Sequence, residues 1–255
     1  MTRVTARQLP LRPFPHGTAT PGPLGDHVMG MVVLAWVATA AVERWGTDWM
    51  RAGSMSIELR RPMTAGAILD VATTSTPDSI DTTYDDSAGR RCLVASVGLA
   101  RATHDDVSST GSTDDDGSRG VHRIAAEADV LAGASLPALH FDFDAGRDLA
   151  FLDGLADAPA WRSHGWAHPA WLGTAVNAAI VGGIDMGDPP RWNQIATEVT
   201  LLSPIEHGDR VRLRTRVDRV SRRGRHEVAH LEGYFHVDDR LVARVRNDVV
   251  YRSGA

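Results

Sequence analysis

The chain has 255 residues, of which 43% are hydrophobic, and a formal net charge of −5. This length fits one large domain or two small ones, with ample apolar material for a packed core. The mildly acidic balance provides no overall positive field, so we expect neither nucleic acid nor a membrane surface as a partner. A single cysteine, Cys92, excludes an internal disulfide and a cysteine-based metal cluster, and we expect no metal.

No apolar stretch reaches the roughly 20 residues that a membrane span needs. Residues 1–23 contain five prolines and lack the apolar core of a signal peptide, which predicts an extended arm. The single cysteine predicts a cytoplasmic location. Residues 28–45 are apolar on nearly every side, which predicts a buried helix. Asp26 is expected to be its N-cap.

The first half, residues 24–104, continues with segments typical of strands. We predict strands over 54–59, 66–74 and 91–102, because apolar or β-branched residues recur there and polar turn clusters separate them. The predicted unit is one helix followed by an antiparallel sheet that covers it.

Residues 105–160 are predicted to connect the two halves. The part from 105 to 120 is polar, acidic and glycine-containing, and it cannot bury enough apolar surface to offset the entropy of ordering. We therefore expect a flexible linker there. Residues 121–160 show only weak helical character.

The second half, residues 161–255, repeats the order of the first. His168-Pro169 predicts a helix start, because proline is favoured at the first helical position. Strands are predicted over 193–203, 210–220, 226–236 and 240–251. Their charges alternate with apolar residues, as in a sheet with one solvated face.

The two halves align without a gap between residues 57–66 and 199–208, where a proline and a glycine recur at an offset of 142. Applied to the helices, the same offset places His27 over Pro169. This spacing predicts an internal duplication of helix and sheet.

A long apolar helix wrapped by an antiparallel sheet resembles the hotdog fold. The strand-Arg-Pro-x-x-x-Gly turn at 57–66 is similar to that of hotdog thioesterases and MaoC-type hydratases, and 194–251 resembles a MaoC-type second half. The resemblance covers the chain except for the arm and the linker. It implies an α+β double hotdog, in which two tandem helix-wrapped antiparallel sheets are related by a pseudo-twofold axis.

Two motifs resemble those of dehydratases of polyketide synthases. Asp26-His27 begins a segment similar to Asp-His-x-x-x-Gly, and residues 168–177 are similar to His-Pro-Ala-Leu-Leu-Asp-x-x-x-Gln. The resemblance implies that His27 is a general base and that Asp26 and His168 are further catalytic residues. The structural alternative is that these three residues cap or orient helix starts.

The chain departs from these motifs at three places. Gly173 stands where the family has its carboxylic acid, Asn177 replaces glutamine, and the first motif is one residue short, with Ala35 in place of proline. Dehydration of a β-hydroxyacyl thioester needs a base for the Cα proton and an acid for the leaving hydroxyl. The alternatives are therefore a double-bond isomerase, a pyran-forming or pericyclic cyclase, a thioesterase, or a non-catalytic acyl-binding module.

The resemblance also implies a substrate and a set of binding residues. The substrate is a β-hydroxyacyl or enoyl thioester of polyketide or fatty-acyl metabolism, carried by an acyl carrier protein or coenzyme A. No cofactor is expected. A homodimer is the expected assembly. The expected substrate-binding residues, for each of which a role in the core is the alternative, are Asn177, Gly173, Trp36, Trp166 and Trp171.

Overall fold

The computed structural model of the protein describes residues 2–6, 27–99, 123–187 and 192–253. The helices longer than one turn are α1 (Gly30–Trp45), α2 (Thr47–Ala52), α5 (Ala158–His164) and α6 (Pro169–Gly183); the one-turn helices are α3 (Ala128–Leu131), α4 (Ala145–Asp148) and a 3-10 turn (Ala150–Leu152). The strands are β1 (Thr2–Thr5), β2 (Gly53–Leu59), β3 (Ile68–Ser75), β4 (Ser79–Asp85), β5 (Arg91–Leu99), β6 (Ile124–Ala125), β7 (Leu139–Asp142), β8 (Ile184–Asp185), β9 (Asn193–Leu201), β10 (Arg210–Arg223), β11 (His226–Val237) and β12 (Arg240–Ser253).

Ten strands form one sheet in the order β1-β3-β4-β5-β2-β9-β12-β11-β10-β7, and every neighbouring pair in it is antiparallel. The order is symmetric about β2 and β9, which pair at the centre. Ser56 of β2 pairs with Glu198 of β9, its own equivalent at the offset of 142. A pseudo-twofold axis therefore passes through this pair, and the predicted duplication is confirmed.

Helices α1 and α6 lie under the sheet and touch each other. Helix α1 contacts β2 and β5, and α6 contacts β9, β10 and β12. Within the described ranges, no helix is both long enough and apolar enough to cross a membrane.

The start of α1 differs from the predicted one. The helix begins at Gly30 with Met29 as N-cap, so the prediction that Asp26 is the N-cap is wrong; Asp26 itself lies outside the described residues. The physical reason is that the preceding backbone is already engaged, because the N–H of Val28 donates a 2.7 Å hydrogen bond to the carbonyl of Met63. This bond keeps the chain extended until Met29.

The offset of 142 does not extend to the helices. Their starts, Gly30 and Pro169, are separated by 139 residues, because the segment between helix and turn is three residues longer in the second half. Two isolated bridges show the true equivalence, since His27 pairs with Thr64 and Trp166 pairs with Glu206. His27 therefore corresponds to Trp166, and the prediction that it lies over Pro169 is wrong.

Two edges of the sheet come from segments for which no strand was predicted. Residues Thr2–Thr5 of the expected arm pair with β3, and Leu139–Asp142 of the expected connecting segment pair with β10. A strand over Ser79–Asp85 also went unpredicted. The expected flexible linker, 105–120, lies outside the described residues, as does most of the arm.

Candidate functional site

His27, the expected base, lies at the surface. Its side chain is exposed, its backbone bridges to Thr64, and it precedes the first residue of α1 by three positions. It is therefore close along the chain to the N-terminus of α1. Its catalytic role stays a prediction.

His168, by contrast, is fully buried at the start of α6. Its Nδ1 accepts a 3.0 Å hydrogen bond from the N–H of Ala170, so the side chain caps the helix. Because Nδ1 accepts, the neutral ring carries its proton on Nε2, which lies 3.8 Å from Oδ2 of Asp157. The imidazole thus lies between the helix start and a buried carboxylate.

Asp157 connects three helices through its carboxylate. It accepts hydrogen bonds from Thr39 Oγ1 at 2.9 Å and from Trp161 Nε1 at 2.8 Å. Burial alone would raise the pKa of this carboxyl, but the nearby His168 imidazole and the hydrogen bonds from those two donors outweigh it and hold the pKa below its usual value. The cluster therefore holds α1, α5 and α6 together, and we infer that His168 has a positioning role in it.

The expected substrate-binding tryptophans occupy different environments. Trp166 is buried, with His164 stacked on its ring at 4.4 Å and the guanidinium of Arg51 at 5.2 Å from its centroid. Trp36 is half-buried on α1. Their binding roles stay predictions.

Trp171 and Gly173 lie on buried parts of α6. Trp171 makes edge-on contacts with Phe141 and Phe143, at centroid distances of 5.2 and 5.0 Å. A Cβ on Gly173 would collide with Sδ of Met31, so this glycine allows α1 and α6 to approach closely. Both residues take part in packing, and their binding roles stay predictions.

Asn177 belongs to a chain of polar side chains that connects α6 with the start of α1. Its Oδ1 accepts a 3.1 Å hydrogen bond from Asn247 Nδ2, and Asn247 Oδ1 accepts a 2.8 Å bond from Thr197 Oγ1. Thr197 Oγ1 in turn accepts from Nε2 of Gln194. Thr197 and Asn247 are buried, whereas Asn177 and Gln194 at the two ends are half-buried. We call these four residues the polar chain.

The polar chain ends against the first residue of α1. A Cβ on Gly30 would occupy the place of the side-chain amide of Gln194, so the glycine lets this amide lie against the helix start. The backbone N–H groups of a first helical turn have no acceptor within the helix and carry its positive dipole end. The site therefore combines neutral amide and hydroxyl groups with a helix N-terminus suited to a developing negative charge.

Comparison with known proteins identifies the fold. No family model and no curated protein matches the chain. Solved structures do match, among them a conserved protein from Mycobacterium tuberculosis described as having a double hotdog fold, at 16% identity and a TM-score of 0.56 over 91% of this chain and 83% of that one. The chain has a double hotdog fold.

Two further similar structures carry names that refer to a reaction. A MaoC-like dehydratase matches at 14% identity and a TM-score of 0.54, over 90% of this chain and 86% of that one. An acyl-CoA thioesterase II from Mycobacterium marinum matches at 15% identity and a TM-score of 0.51, over 89% and 90%. At these identities the likeness shows the fold, and it confirms the double hotdog predicted from the two sequence repeats.

The duplication of the double hotdog offers an internal control for the polar chain. In the first half, Ala38 occupies the place of Asn177 on the central helix. Met55 and Val97 form the strand pair that corresponds to Thr197 and Asn247. All three first-half residues are buried and apolar. The first half therefore packs without polar groups at these positions. Of the two equivalent sites, only the one in the second half is polar.

Sequence reasoning found Asn177 but missed the other three members of the polar chain. The available signal was strand phase, because Thr197 alternates in step with Val199 and Leu201, and Asn247 with Val245. A polar residue at a core-facing strand position needs a partner.

The described part of the chain contains no group of three or more His, Cys, Asp or Glu side chains able to hold a metal ion. The polar chain also contains no carboxylate and no imidazole. Its groups can hold a carbonyl and a water molecule, but none of them ionises near neutral pH.

Proposed function

We propose that this double hotdog binds an acyl-CoA thioester between its halves and hydrolyses it. The observation that carries the proposal is the polar chain, which ends at the N-terminus of α1. The corresponding residues of the first half, Ala38, Met55 and Val97, are apolar. Buried polar groups are costly when unpaired, so a site that retains them where apolar residues suffice favours a function over a packing role.

The thioester carbonyl binds at the start of α1 in this proposal. The N–H groups of Gly30 and Met31 belong to the first turn and have no acceptor within the helix. Such donors stabilise the negative charge that develops on a carbonyl oxygen under attack. The missing side chain at Gly30 lets the side-chain amide of Gln194 lie directly beside them.

The polar chain positions the attacking water. Asn177 and Gln194 lie at its half-buried ends, while Thr197 and Asn247 fix their orientation through hydrogen bonds. The water oxygen forms a bond to the acyl carbon, the C–S bond breaks, and the proton of the water passes to the departing thiolate. Because an amide orients water without accepting its proton, we expect slow turnover compared with sites that use a carboxylate base.

The similar structures support a thioester as the substrate. One is named an acyl-CoA thioesterase and another a MaoC-like dehydratase. Coenzyme A is therefore the carrier that we propose first, and an acyl carrier protein is the second possibility to test.

A second candidate function is dehydration of a β-hydroxyacyl thioester, as in polyketide or fatty-acyl metabolism, with His27 as the base. The observation that favours it is the exposed imidazole three residues before Gly30, the first residue of α1. His168 is buried and Gly173 packs on Met31, whereas His27 is exposed and open to a substrate.

Two product assays separate these candidates. Saturated and β-hydroxyacyl-CoA esters of several lengths are incubated with the protein, and free thiol and enoyl thioester are measured in parallel. Hydrolysis predicts thiol release that falls in Asn177→Leu and continues in His27→Ala. Dehydration predicts enoyl product that disappears in His27→Ala. If neither product forms with any ester, both proposals are wrong and a non-catalytic acyl-binding role replaces them.

A further inference from the structure

We propose a second reaction centre on the outer face of the sheet, in which Ser221 is a nucleophile, His230 its base and Asp248 the group that orients the base. Its substrate class is small, activated carboxylic esters. The three reacting groups include none of the four residues of the polar chain, and the proposal does not depend on the proposed thioester hydrolysis.

The three side chains form a continuous relay. Ser221 Oγ lies 2.8 Å from His230 Nε2, and His230 Nδ1 lies 2.7 Å from Asp248 Oδ1. Since the carboxylate can only accept, the proton of the neutral ring is on Nδ1, and Nε2 is left as the acceptor for the serine hydroxyl. This is the order of contacts that converts a serine into a nucleophile.

The sheet holds these groups in register. His230 on β11 pairs directly with Asp248 on β12 and, on its other side, with Arg219 on β10. Directly paired residues share a face of the sheet, and Ser221 follows Arg219 by two positions, so it lies on that face too. Three adjacent strands of a rigid sheet therefore present the nucleophile, the base and the orienting acid together.

The relay borders a place where a ligand can bind. A groove of about 640 Å³ crosses the outer face, and His230, Asp248 and Arg219 are among its lining residues. The imidazole and the carboxylate keep 16% and 36% of their side-chain area exposed, so both remain accessible from the groove. Arg219 lies on the same face, with its guanidinium 3.7 Å from the carboxylate of Asp218.

The other half shows that the fold does not require this relay. The strand pair that corresponds to His230 and Asp248 is Ser79 and Gly98. The same surface of the sheet is therefore built without an imidazole or a carboxylate at these two positions.

The proposed reaction has two steps. Ser221 Oγ bonds to the acyl carbon while its proton passes to His230 Nε2; the ester C–O bond then breaks, and the leaving alkoxide takes that proton. Water next attacks the acyl-serine, gives one proton to His230 Nε2, and the proton returns to Ser221 Oγ as the acid departs. Atoms balance with water as the co-reactant.

The test is covalent labelling of the full-length protein with a fluorophosphonate, followed by peptide mapping, together with hydrolysis of p-nitrophenyl acetate. We expect one adduct per chain at Ser221, its loss in Ser221→Ala, and labelling slowed by about 100-fold in His230→Gln, because a general base contributes at least that much. Asp248→Asn should slow labelling by about tenfold or more. Thermal melts check that each variant folds.

Two variants serve as matched controls. Ser56→Ala removes a serine that lines the groove but has no imidazole among its pairing partners, and Asn177→Leu disrupts the polar chain; both should be labelled at the wild-type rate. The proposal is overturned if Ser221 takes up no probe, or if folded His230→Gln is labelled as fast as the wild type. Loss of thioester hydrolysis with intact labelling would leave this centre standing and remove only the function of the polar chain.

Discussion

Asn247 on the last strand donates a 3.1 Å hydrogen bond to Asn177 on the central helix of the second half. The corresponding residues of the first half, Val97 and Ala38, are apolar and buried. One gene-duplicated architecture thus contains an apolar and a polar version of the same contact. The difference concentrates the expected chemistry in one of two equivalent places.

The first prediction concerns the buried carboxylate of Asp157. Its folded-state pKa lies below the usual value, so its ionised form stabilises the fold at pH above that value, and the contribution is lost as the pH falls through the folded-state pKa. We expect Asp157→Asn to lower the free energy of unfolding by about 1–3 kcal/mol near neutral pH. Urea denaturation at several pH values should show this difference shrinking below the usual pKa of 3.8. A difference that is independent of pH would contradict the assignment.

The second prediction concerns Glu232 on the outer face. Burial alone would raise its pKa, but hydrogen bonds from Tyr234 and Arg244, with Arg246, lower it from 4.5 to about 2. Its ionised form therefore stabilises the fold above pH 4.5, and this contribution disappears between 4.5 and about 2. Above pH 4.5, the melting temperature of Glu232→Gln should be lower than that of the wild type. The two melting temperatures should become equal near pH 2. Parallel curves across the whole range would refute the prediction.

The third prediction concerns the contact between the two central helices. Any side chain at Gly173 meets Sδ of Met31 and approaches Cδ1 of Leu34 to 3.0 Å. We expect Gly173→Ala to destabilise the fold by about 1–3 kcal/mol despite the better helix propensity of alanine. Gly173→Asp should cost more, because it also buries a charge. Adding Met31→Ala should recover part of either loss, as a double-mutant cycle would show.

The same glycine tests the interpretation of the sequence. If Gly173→Asp were as stable as the wild type and formed enoyl product, this would indicate that the chain has lost a dehydratase acid at position 173. A destabilised variant without dehydration supports a packing role for Gly173.

Most of the fold could be predicted from local patterns. The strands of the second half alternate over nine to fourteen residues, and the repeated turn has a proline and a glycine at fixed spacing. By contrast, β4 contains Asp81, Thr82 and Thr83 in succession, which hides its period. Its strand conformation depends on pairing with β3 and β5, which local sequence does not show.

The site was harder to predict because it depends on register. The second half has three more residues between helix and turn than the first, so His27 aligns with Trp166 and not with Pro169. No residue in the sequence marks that insertion. The polar chain joins positions as far apart as Asn177 and Asn247, and only the packing of α6 on β9 and β12 brings them together.

The central claim is that the polar chain acts on a thioester, and Thr197→Val is its most direct test. Valine keeps the shape and removes the hydroxyl that links Gln194 to Asn247. Thr215→Val is the matched control: this buried threonine of β10 has, within the described residues, no hydrogen-bond partner for its hydroxyl, so we expect unchanged activity and equal or higher stability.

The measurement is the rate of free thiol release from acyl-CoA esters by the wild type and these two variants. We predict that kcat falls by about 100-fold in Thr197→Val, with KM changed by less than about threefold, because the lost group acts mainly on the transition state. Equal kcat in folded Thr197→Val and Thr215→Val, or no thiol release by the wild type, would contradict the account.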